Sequence, residues 1–503
     1  AFGWLAGYLA QLRFAASLLT GRSFSPWSLE QLVKSLRATA DEFGAIGAGG
    51  GEIVSGPALD AATREELQLR RLRTQAVRAK DTAYYAHLFT ELGLDPSTIK
   101  SRADIARIPL TGKDSVREQP DAFVRRKSHP YLRAQTTGTT GRPTSIAFSS
   151  HELRVYCALQ AISHLLSGDI QADDVVLVST SGRGVLGNLC LAGACAHVGA
   201  IVAMGGLIDP AATLARLAEK QSLPGKRDRV SVLYTYPSYL GELVECGLRL
   251  GYRPHDFGLR LIAAGGEIVT EGLRRRSREL FGDVRFTEGY GMTEIWPFGG
   301  QMCEEGHLHF EPVQGLIEIL DPDTGELAPA GKVGEVVATP FAPFRETTLL
   351  LRYNTEDMVQ QLTEPSACSL KAVPATGPLL GKRRFAVRHD QGWTCPRSVL
   401  EALESLPEVA LPARCGLWPG PGGVAVEVMA KTQTAAVRRK VAAALEEQGI
   451  PLCELYLVEQ ARDLCHPLPL RGDLREPEIT VLRGPAAFAG PTACHTTHAQ
   501  VES

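Results

Sequence analysis

Residues 136–144 read Thr-Thr-Gly-Thr-Thr-Gly-Arg-Pro-Thr, and four threonines and two glycines fall within the first six positions. Glycine lets backbone N–H groups approach an anion closely, and threonine hydroxyls supply further hydrogen-bond donors. The stretch therefore predicts a loop that binds nucleotide phosphates. A polar turn is the alternative, because threonine and glycine are also common turn residues.

Two common nucleotide-binding signatures are absent from this stretch. The P-loop pattern GxxxxGK[ST] has its second glycine five residues after the first, but Pro143 stands five residues after Gly138, and Thr144 follows it. A GxGxxG motif with a downstream acidic residue is also missing here. The loop therefore indicates neither a P-loop NTPase nor a dinucleotide-binding fold.

The composition predicts a soluble globular α/β protein of two to four domains or subdomains. The chain has 503 residues, of which 44% are hydrophobic and 22% are charged. A net charge of −3 argues against nucleic acid as a partner, so small anionic ligands must be held by local sites. The eleven cysteines show no regular short spacing, which favours a reducing, cytoplasmic location.

The N-terminal segment is apolar but predicts no transmembrane helix. Gln11 and Arg13 interrupt the run from residue 2 to residue 19. An amphipathic helix packed on the body or on a partner is expected, with contact to a membrane interface as the alternative. Residues 45–56 are rich in glycine and resemble a connector, so residues 1–60 form a predicted helical appendage and linker.

Strand and helix patterns alternate after the threonine loop. Ser149 and Glu152 have capping-box spacing, and Asp209-Pro210 forms an N-cap and first-turn pair. The alternation predicts a largely parallel sheet covered by helices, with ligands at the carboxyl ends of its strands. The predicted strands are 175–179, 200–204, 230–234 and 259–264, and the predicted helices are 150–166, 189–198, 238–250 and 271–280.

A smaller α+β unit is predicted from Gly381 onwards, where the composition changes. Its expected elements are helices 397–406 and 434–448 and strands 424–429 and 452–458. The fold class expected is thus α/β, with a large N-terminal domain of helix-covered sheets and a smaller, mobile C-terminal α+β domain. The domain ranges are 1–60, 61–380 for the large domain, 381–483 for the small lid domain and 484–503 for a disordered tail.

Two further motifs carry groups suited to nucleotide chemistry. Residues 288–294 (EGYGMTE) follow a short predicted strand at 284–286, and a carboxylate with a hydroxyl there suits Mg²⁺ and phosphate. Residues 351–357 (LRYNTED) end in an aspartate able to accept hydrogen bonds from ribose hydroxyls. Between the loop and these motifs, residues 264–267 (AGGE) leave room for a flat base.

The order of these four motifs resembles the adenylate-forming superfamily of acyl-CoA synthetases and nonribosomal-peptide adenylation domains. Within it, the chain is most similar to the phenylacetate–CoA ligase branch, and the similarity covers residues 65 to 360 best. Motifs at 84–89, 93–96, 108–113 and 236–239 also carry it. The resemblance implies that a carboxylic acid, aryl or acyl, attacks the α-phosphate of ATP with Mg²⁺, releasing pyrophosphate. Coenzyme A or a carrier thiol then takes the acyl group.

Carried over position by position, the resemblance assigns a role to each matching residue. Thr136, Thr137, Gly138, Thr139, Thr140 and Gly141 would hold phosphates; Gly265, Gly266, Glu267 and Tyr290 the adenine; Asp357 the ribose; Thr293 the α-phosphate; and Glu294 the Mg²⁺. Tyr236, Pro237, Gly182 and Gly187 would border the acid. The structural alternatives are that Tyr290 belongs to the core and Glu294 caps a helix.

The C-terminal part departs from the family pattern. The family places near its C-terminus a lysine that reaches the α-phosphate, but Asp473 stands there, with Arg471 and Arg475 as possible substitutes. Lys382 could replace a hinge arginine that faces the ribose, and Glu356 occupies a usual glycine. Two alternatives therefore stay open: adenylation of another oxyanion or acceptor without coenzyme A, and a catalytically impaired nucleotide-binding paralogue.

The resemblance also raises a metal site and a quaternary state. Some members of the branch hold a structural zinc with cysteines and a histidine between the Tyr-Gly motif and the hinge. Cys303, His309 and Cys368 are the candidate ligands here, with His307 nearby, while Leu370 stands where a second cysteine is usual. A homodimer is a further expectation.

Overall fold

The computed structural model describes residues 2–20, 25–43, 60–136, 143–182, 185–368, 370–371 and 373–471. Three predicted features lie outside these residues: the core of the phosphate loop from Thr137 to Gly141, the connector at 45–56, and the segment after Arg471. Within the described residues the fold is mixed α/β, as predicted. No helix in the described part of the chain has the length and apolar content needed to cross a bilayer.

The helices are α1 (Phe2–Thr20), α2 (Pro26–Phe43), α3 (Ala61–Ala79), α4 (Ala83–Glu91), α5 (Arg102–Ile105), α6 (Lys113–Glu118), α7 (Ser150–Ser167), α8 (Val185–Val198), α9 (Pro210–Ala218), α10 (Pro237–Leu250), α11 (Glu271–Phe281), α12 (Pro396–Glu404) and α13 (Ala435–Glu447). The strands are β1 (Pro130–Gln135), β2 (Ser145–Ser149), β3 (Val175–Ser179), β4 (Ile201–Met204), β5 (Val232–Thr235), β6 (Leu261–Gly265), β7 (Arg285–Tyr290), β8 (Gly300–Met302), β9 (Leu308–Phe310), β10 (Gly315–Leu320), β11 (Val333–Pro340), β12 (Tyr353–Gln360), β13 (Ala375–Thr376), β14 (Leu379–Lys382), β15 (Val387–His389), β16 (Gly392–Thr394), β17 (Cys415–Gly420), β18 (Gly423–Met429) and β19 (Leu452–Val458).

An eight-stranded sheet forms the centre of the large part, in the order β13-β9-β8-β7-β6-β5-β3-β4. Strands β4, β3, β5, β6 and β7 are parallel, and β8, β9 and β13 are antiparallel. One face packs against α7 and α8, and the other against α9, α10 and α11. Because both faces are covered, the central parallel strands are aliphatic runs rather than alternating ones.

Capping motifs and side-chain periodicity correctly predicted where most of the helices begin, to within a few residues. Ser149 and Glu152 form the predicted capping box at α7, and Asp209 caps α9 ahead of Pro210. Residues 63–92 contain no glycine or proline and follow a helical pattern, yet they form two helices, because the Thr82 hydroxyl accepts a hydrogen bond from the Tyr85 N–H and starts α4.

The predicted strand at 284–286 continues to Tyr290. Gly289 of β7 pairs with Gly265 of β6, so Glu288, Gly289 and Tyr290 lie within the strand instead of after it. The prediction that Glu288 follows the strand was therefore wrong, because pairing with β6 extends the ladder past the β-branched and aromatic residues. Only residues 291–294 reach beyond the strand end.

A second sheet, β10-β11-β12-β14, carries the third motif. Arg352, just before β12, makes a buried bidentate ion pair with Glu318 of β10, and its Nη1 donates to the Ile108 carbonyl at 2.7 Å. Arg352 adopts a φ of 46°, a backbone conformation that favours glycine. These contacts fasten residues 108–113 beside β12.

The C-terminal unit has its own apolar core, between the sheet β17-β18-β19 and helices α12 and α13. Strand β14 pairs with β12, with Lys382 opposite Asp357. The predicted boundary at residue 380 thus falls inside a strand of the second sheet. The division into domains otherwise stays a prediction.

Glu404 joins the C-terminal unit to the large part. Its carboxylate accepts hydrogen bonds from the Thr270 hydroxyl, at the N-cap of α11, and from the Ala413 N–H at 3.1 Å. A Cβ on Gly272 would lie 2.4 Å from the Glu404 carbonyl group, so a glycine is required at this close approach. Burial raises the pKa of Glu404 to about 7.

The raised pKa predicts a pH dependence of stability. The folded state keeps the Glu404 proton to a higher pH than the unfolded chain, so stability is fully present below pH 4.5 and is lost as the pH rises to about 7. Glu404→Gln mimics the protonated form, donating to Thr270 and accepting from Ala413. We expect this variant to gain on the order of 3 kcal/mol at pH 8 and nothing at pH 4.5.

Thermal unfolding of both proteins across this pH range measures the difference, with Glu447→Gln on the exposed face of α13 as the control. Parallel pH profiles for wild type and Glu404→Gln would contradict the role given to Glu404.

Candidate functional site

A cavity of about 1560 Å³ opens at the carboxyl ends of β5, β6 and β7. It contains residues from the base of the threonine loop, from residues 264–267, from residues 288–294 and from the C-terminal unit, whereas residues 351–357 do not line it. The predicted site residues that line it are Thr136, Gly187, Tyr236, Gly265, Gly266, Tyr290, Thr293, Glu294, Cys303, His309, Lys382 and Arg471. The carboxyl-end position follows from the parallel strands and agrees with the sequence-based expectation.

The segment after β6 brings the C-terminal unit to the cavity. Gly266 has a φ of +83°, and a Cβ there would lie 2.5 Å from Nη1 of Arg471. Glu267 accepts hydrogen bonds from the Ser238 N–H at 2.7 Å, from the Ser238 hydroxyl, and from the Arg471 N–H. The Glu267 side chain thus joins the start of α10 to the C-terminal segment, while glycine at 266 leaves space for the Arg471 guanidinium.

Glu294 is the most buried charged group of the site, at 1% exposure. Its Oε1 accepts a hydrogen bond from the Tyr353 hydroxyl at 3.2 Å and lies 3.6 Å from Lys113 Nζ. Its Oε2 is shielded from solvent and has no hydrogen-bond partner among the described residues. A buried carboxylate oxygen without a donor fits a divalent cation such as Mg²⁺, which takes one or two protein carboxylates in nucleotide sites.

Lys113 is a site residue that the sequence reasoning did not identify. Its side chain is 14% exposed, and burial lowers its pKa while the Glu294 carboxylate opposes that shift. Its position is fixed because the Thr111 N–H donates to the Arg352 carbonyl at 2.9 Å and the Asn354 N–H to the Thr111 carbonyl at 3.0 Å. Residues 108–113 are used in the sequence analysis only as a motif of the family and are assigned no role in the site. A lysine directly after its Thr-Gly pair was the available signal.

Asp357, Tyr290 and Lys382 form one hydrogen-bonded group. The Tyr290 hydroxyl donates to Asp357 Oδ2 at 3.0 Å, and Lys382 Nζ lies 2.8 Å from Oδ1. Burial raises the pKa of Tyr290, so the tyrosine is a donor at neutral pH. Glu356 precedes Asp357 with a φ of 61°, which explains physically why glycine is usual at this position.

The residues predicted to border the acid are divided among three places. Tyr236 and Gly187 line the large cavity, whereas Gly182 lines a neighbouring cavity of about 470 Å³. Pro237 is buried as the first residue of α10 and lines neither, because a proline at that position serves the helix start. The structure thus gives Pro237 a role in starting the helix, and its predicted contact with the acid stays a prediction. Arg475 lies outside the described residues.

Thr136 closes the base of the threonine loop. Its N–H donates to the Thr144 carbonyl at 2.9 Å, and its hydroxyl accepts from the Thr144 N–H at 3.0 Å. The two ends of the loop are therefore held together, next to β1 and β2. Thr137, Gly138, Thr139, Thr140 and Gly141 lie outside the described residues, so their predicted phosphate contacts stay predictions.

Four metal-binding side chains meet at the edge of the first sheet. One ligand atom from each of Cys303, His307, His309 and Cys368 lies within 4.8 Å of the others. His309 Nε2 is 3.2 Å from Cys368 Sγ, and its Nδ1 is 3.0 Å from the Val373 carbonyl, which orients the ring. Two thiols and two imidazoles suit tetrahedral Zn²⁺.

His307 is the fourth metal-binding side chain of this cluster, and it is named in the sequence analysis only as a residue near the candidate ligands. The position expected to hold a second cysteine is Leu370, which lines the large cavity instead. The β8–β9 hairpin brings His307 back beside Cys303: the His307 N–H donates to Cys303 Sγ at 3.3 Å. The turn between β8 and β9, which the sequence pattern did not predict, thus brings the fourth metal-binding side chain to the cluster.

Comparisons with known proteins show which family the chain belongs to. The sequence model of the family described as AMP-binding enzyme matches residues 62–340. The phenylacetate–coenzyme A ligase of Thermus thermophilus is 30% identical over 368 residues, which cover 70% of this chain and 78% of that protein. The phenylacetate–coenzyme A ligase of Aromatoleum evansii is 28% identical over 327 residues, covering 62% and 70%.

A solved structure shares the fold. The crystal structure of 2-hydroxyisobutyryl-CoA ligase in the postadenylation state has a TM-score of 0.66 and 19% sequence identity, and the match covers 80% of this chain and 87% of that one. At this identity the likeness establishes the fold, and it confirms the predicted fold class.

The Lys113–Glu294 pair gives a stability prediction. Lys113→Met leaves the Glu294 carboxylate buried with only a tyrosine donor, so we expect the free energy of unfolding without Mg²⁺ to fall by about 3–5 kcal/mol. In a Glu294→Gln background the same change should cost far less, because no charge is left unpaired. Chemical denaturation of the two single variants and the double variant measures this coupling.

Lys100→Met, at an exposed lysine outside the cavity, is the control for loss of a positive charge. Additive effects of the Lys113 and Glu294 changes would contradict an energetic pairing.

Proposed function

Because the chain belongs to the AMP-binding enzymes, in the branch similar to phenylacetate–coenzyme A ligases, we propose that it uses ATP to convert a carboxylic acid to an acyl-AMP, releasing pyrophosphate, and then transfers the acyl group to coenzyme A. The observation that carries the proposal is the buried Glu294 carboxylate. Its Oε2 has no hydrogen-bond partner among the described residues, and the same cavity contains Thr293 and the glycines after β6.

The site supplies positioning and charge neutralisation, which in-line attack at phosphorus mainly requires. The adenine would lie against Gly265 and Gly266, and the ribose against Asp357. Lys113 adds a buried positive charge beside Glu294. Mg²⁺ would be held by Glu294 Oε2 and would neutralise phosphate charge.

Arg471 is the candidate substitute for the lysine that the family places near the C-terminus. Its guanidinium lies over Gly266 inside the cavity, and its N–H is bonded to Glu267. A guanidinium is charged at all relevant pH values and binds phosphate through two N–H groups. This placement supports catalysis by a chain that has Asp473 at the family's lysine position.

Pyrophosphate exchange tests the first half-reaction. Incorporation of labelled pyrophosphate into ATP should depend on an added acid, and Glu294→Gln should lower its rate at least about tenfold by weakening Mg²⁺ binding. The control is Glu279→Gln, on the exposed side of α11. Nucleotide binding with no exchange under any aryl or fatty acid would overturn the proposal in favour of a nucleotide-binding paralogue.

Thioester formation tests the second half-reaction. Acid-dependent exchange without an acyl-CoA product would limit the activity to adenylation with another acceptor. The two results are separable, because exchange needs ATP, Mg²⁺, pyrophosphate and the acid but no coenzyme A.

We also propose that the cluster of Cys303, His307, His309 and Cys368 holds a structural zinc ion. The four ligands tie the β8–β9 hairpin to the segment before β13, close to the cavity wall formed by Leu370 and His307. Such a site would stabilise the fold without a part in the reaction.

The purified protein should contain about one zinc per chain, and Cys368→Ser should lose it and lower the melting temperature. Cys395→Ser is matched for burial, since Cys395 and Cys368 are 3% and 5% exposed, and it should keep the metal. Elemental analysis measures the content. Equal zinc in both variants would exclude this ligand set.

A further inference from the structure

The large cavity extends inward from the nucleotide end, along the face of the first sheet. Alternate residues of β5, β6 and β7 point to one side of the sheet and line it in registered rows. The rows from the outer end inward are Gly265 with Gly289, Tyr234 with Ala263 and Thr287, and Val232 with Leu261 and Arg285. Successive rows are two residues, or about 7 Å, apart, so the two intervals between the three rows give the slot a depth of about 13 Å.

Helix α7 covers this slot. Leu159, Gln160, Ser163 and His164 line the cavity at the three- and four-residue spacing of a single helix face. The opposite wall includes the ring of Tyr234. Aliphatic and aromatic walls, from a sheet on one side and a helix on the other, suit an aromatic ring.

Two polar side chains of α7 face the slot without partners. Both ring nitrogens of His164 and Oε1 of Gln160 are shielded from solvent and have no hydrogen-bond partner among the described residues. Burial lowers the pKa of His164 to about 4, so at neutral pH its ring has one donor and one acceptor nitrogen. Buried polar atoms are normally satisfied, which indicates that something else bonds them.

Charge at the inner end excludes some ligands. Asp169 is near His164 and Tyr234, since its carboxylate affects the pKa of both. Asp169 is itself paired with Arg285, whose Nη2 lies 2.6 Å from Oδ1. The two charges offset each other, so this end of the cavity offers no net charge to an ammonium or to a second carboxylate. A neutral group that both donates and accepts matches the imidazole best.

We propose that the acid is an aromatic carboxylic acid with a hydroxyl group on its ring, far from the carboxylate, and that His164 and Gln160 bind this hydroxyl as specificity-determining residues. The inference rests on the proposed acid activation and names its substrate class. The carboxylate would lie at the outer end beside Thr293 and Glu294, and the ring in the slot. An acid without the hydroxyl would leave the imidazole and amide unpaired, which disfavours it.

The test compares matched acids. Phenylacetate is compared with 4-hydroxyphenylacetate, and cinnamate with 4-hydroxycinnamate, by kcat/KM for pyrophosphate exchange and by calorimetric binding. We expect wild type to prefer at least one hydroxylated acid by about tenfold or more. His164→Phe and Gln160→Leu should remove that preference while still accepting the matching plain acid. Arg154→Gln, on the exposed side of α7, should keep it.

Each outcome decides the inference. Equal use of both members of each pair by wild type overturns it and indicates that buried water satisfies His164, while the proposed adenylation stands. A hydroxyl preference that survives in both variants also overturns it. Absence of exchange with every acid contradicts the proposed function instead. Calorimetry then decides the substrate inference: tighter binding of a hydroxylated acid that is lost in His164→Phe supports it, and equal binding of both acids of each pair refutes it.

Discussion

A carboxylate at 1% exposure must be neutralised, and the neutralisation of Glu294 sets the arrangement of the whole site. Its partners come from distant parts of the chain: Tyr353 from β12 and Lys113 from the segment that Arg352 fastens to that strand. The buried Arg352–Glu318 pair is therefore more than a local ion pair. It helps to hold residues 108–113 beside β12, at the distance at which a lysine and a tyrosine share one carboxylate.

Carboxylates also make the contacts between the large part of the molecule and the C-terminal unit. Glu267 bonds Ser238 and Arg471, and Glu288 lies between Arg274 of the large part and Arg397 of the C-terminal unit. Burial raises the pKa of Glu288, as it does for Glu404. Glu288 also lines the cavity, so this carboxylate belongs both to the site and to the contact with the C-terminal unit.

Several positions carry residues that local preference disfavours. Glu356 and Arg352 both have positive φ, although neither is glycine. The Glu356 N–H is held by a local hydrogen bond to the Asn354 side chain, and Arg352 by its tertiary ion pair with Glu318. A strained backbone of this kind persists only where the surroundings fix it; Arg352 directly precedes the strand that carries Asp357, and Glu356 lies within that strand.

The sequence by itself determined the α/β class, the parallel central strands, the helix caps at Ser149 and Asp209, and the motifs that form the cavity. These features depend on periodicity, on side chains close in sequence and on motif order. Tertiary structure alone decided which groups meet. Lys113 approaches Glu294 through a contact between segments about 240 residues from each other, made by Thr111 and Arg352. His307 joins Cys368 because a hairpin turns, and His164 faces a slot because β5, β6 and β7 are in register. Such proximity is set by strand register and helix packing, which no local pattern in the chain encodes.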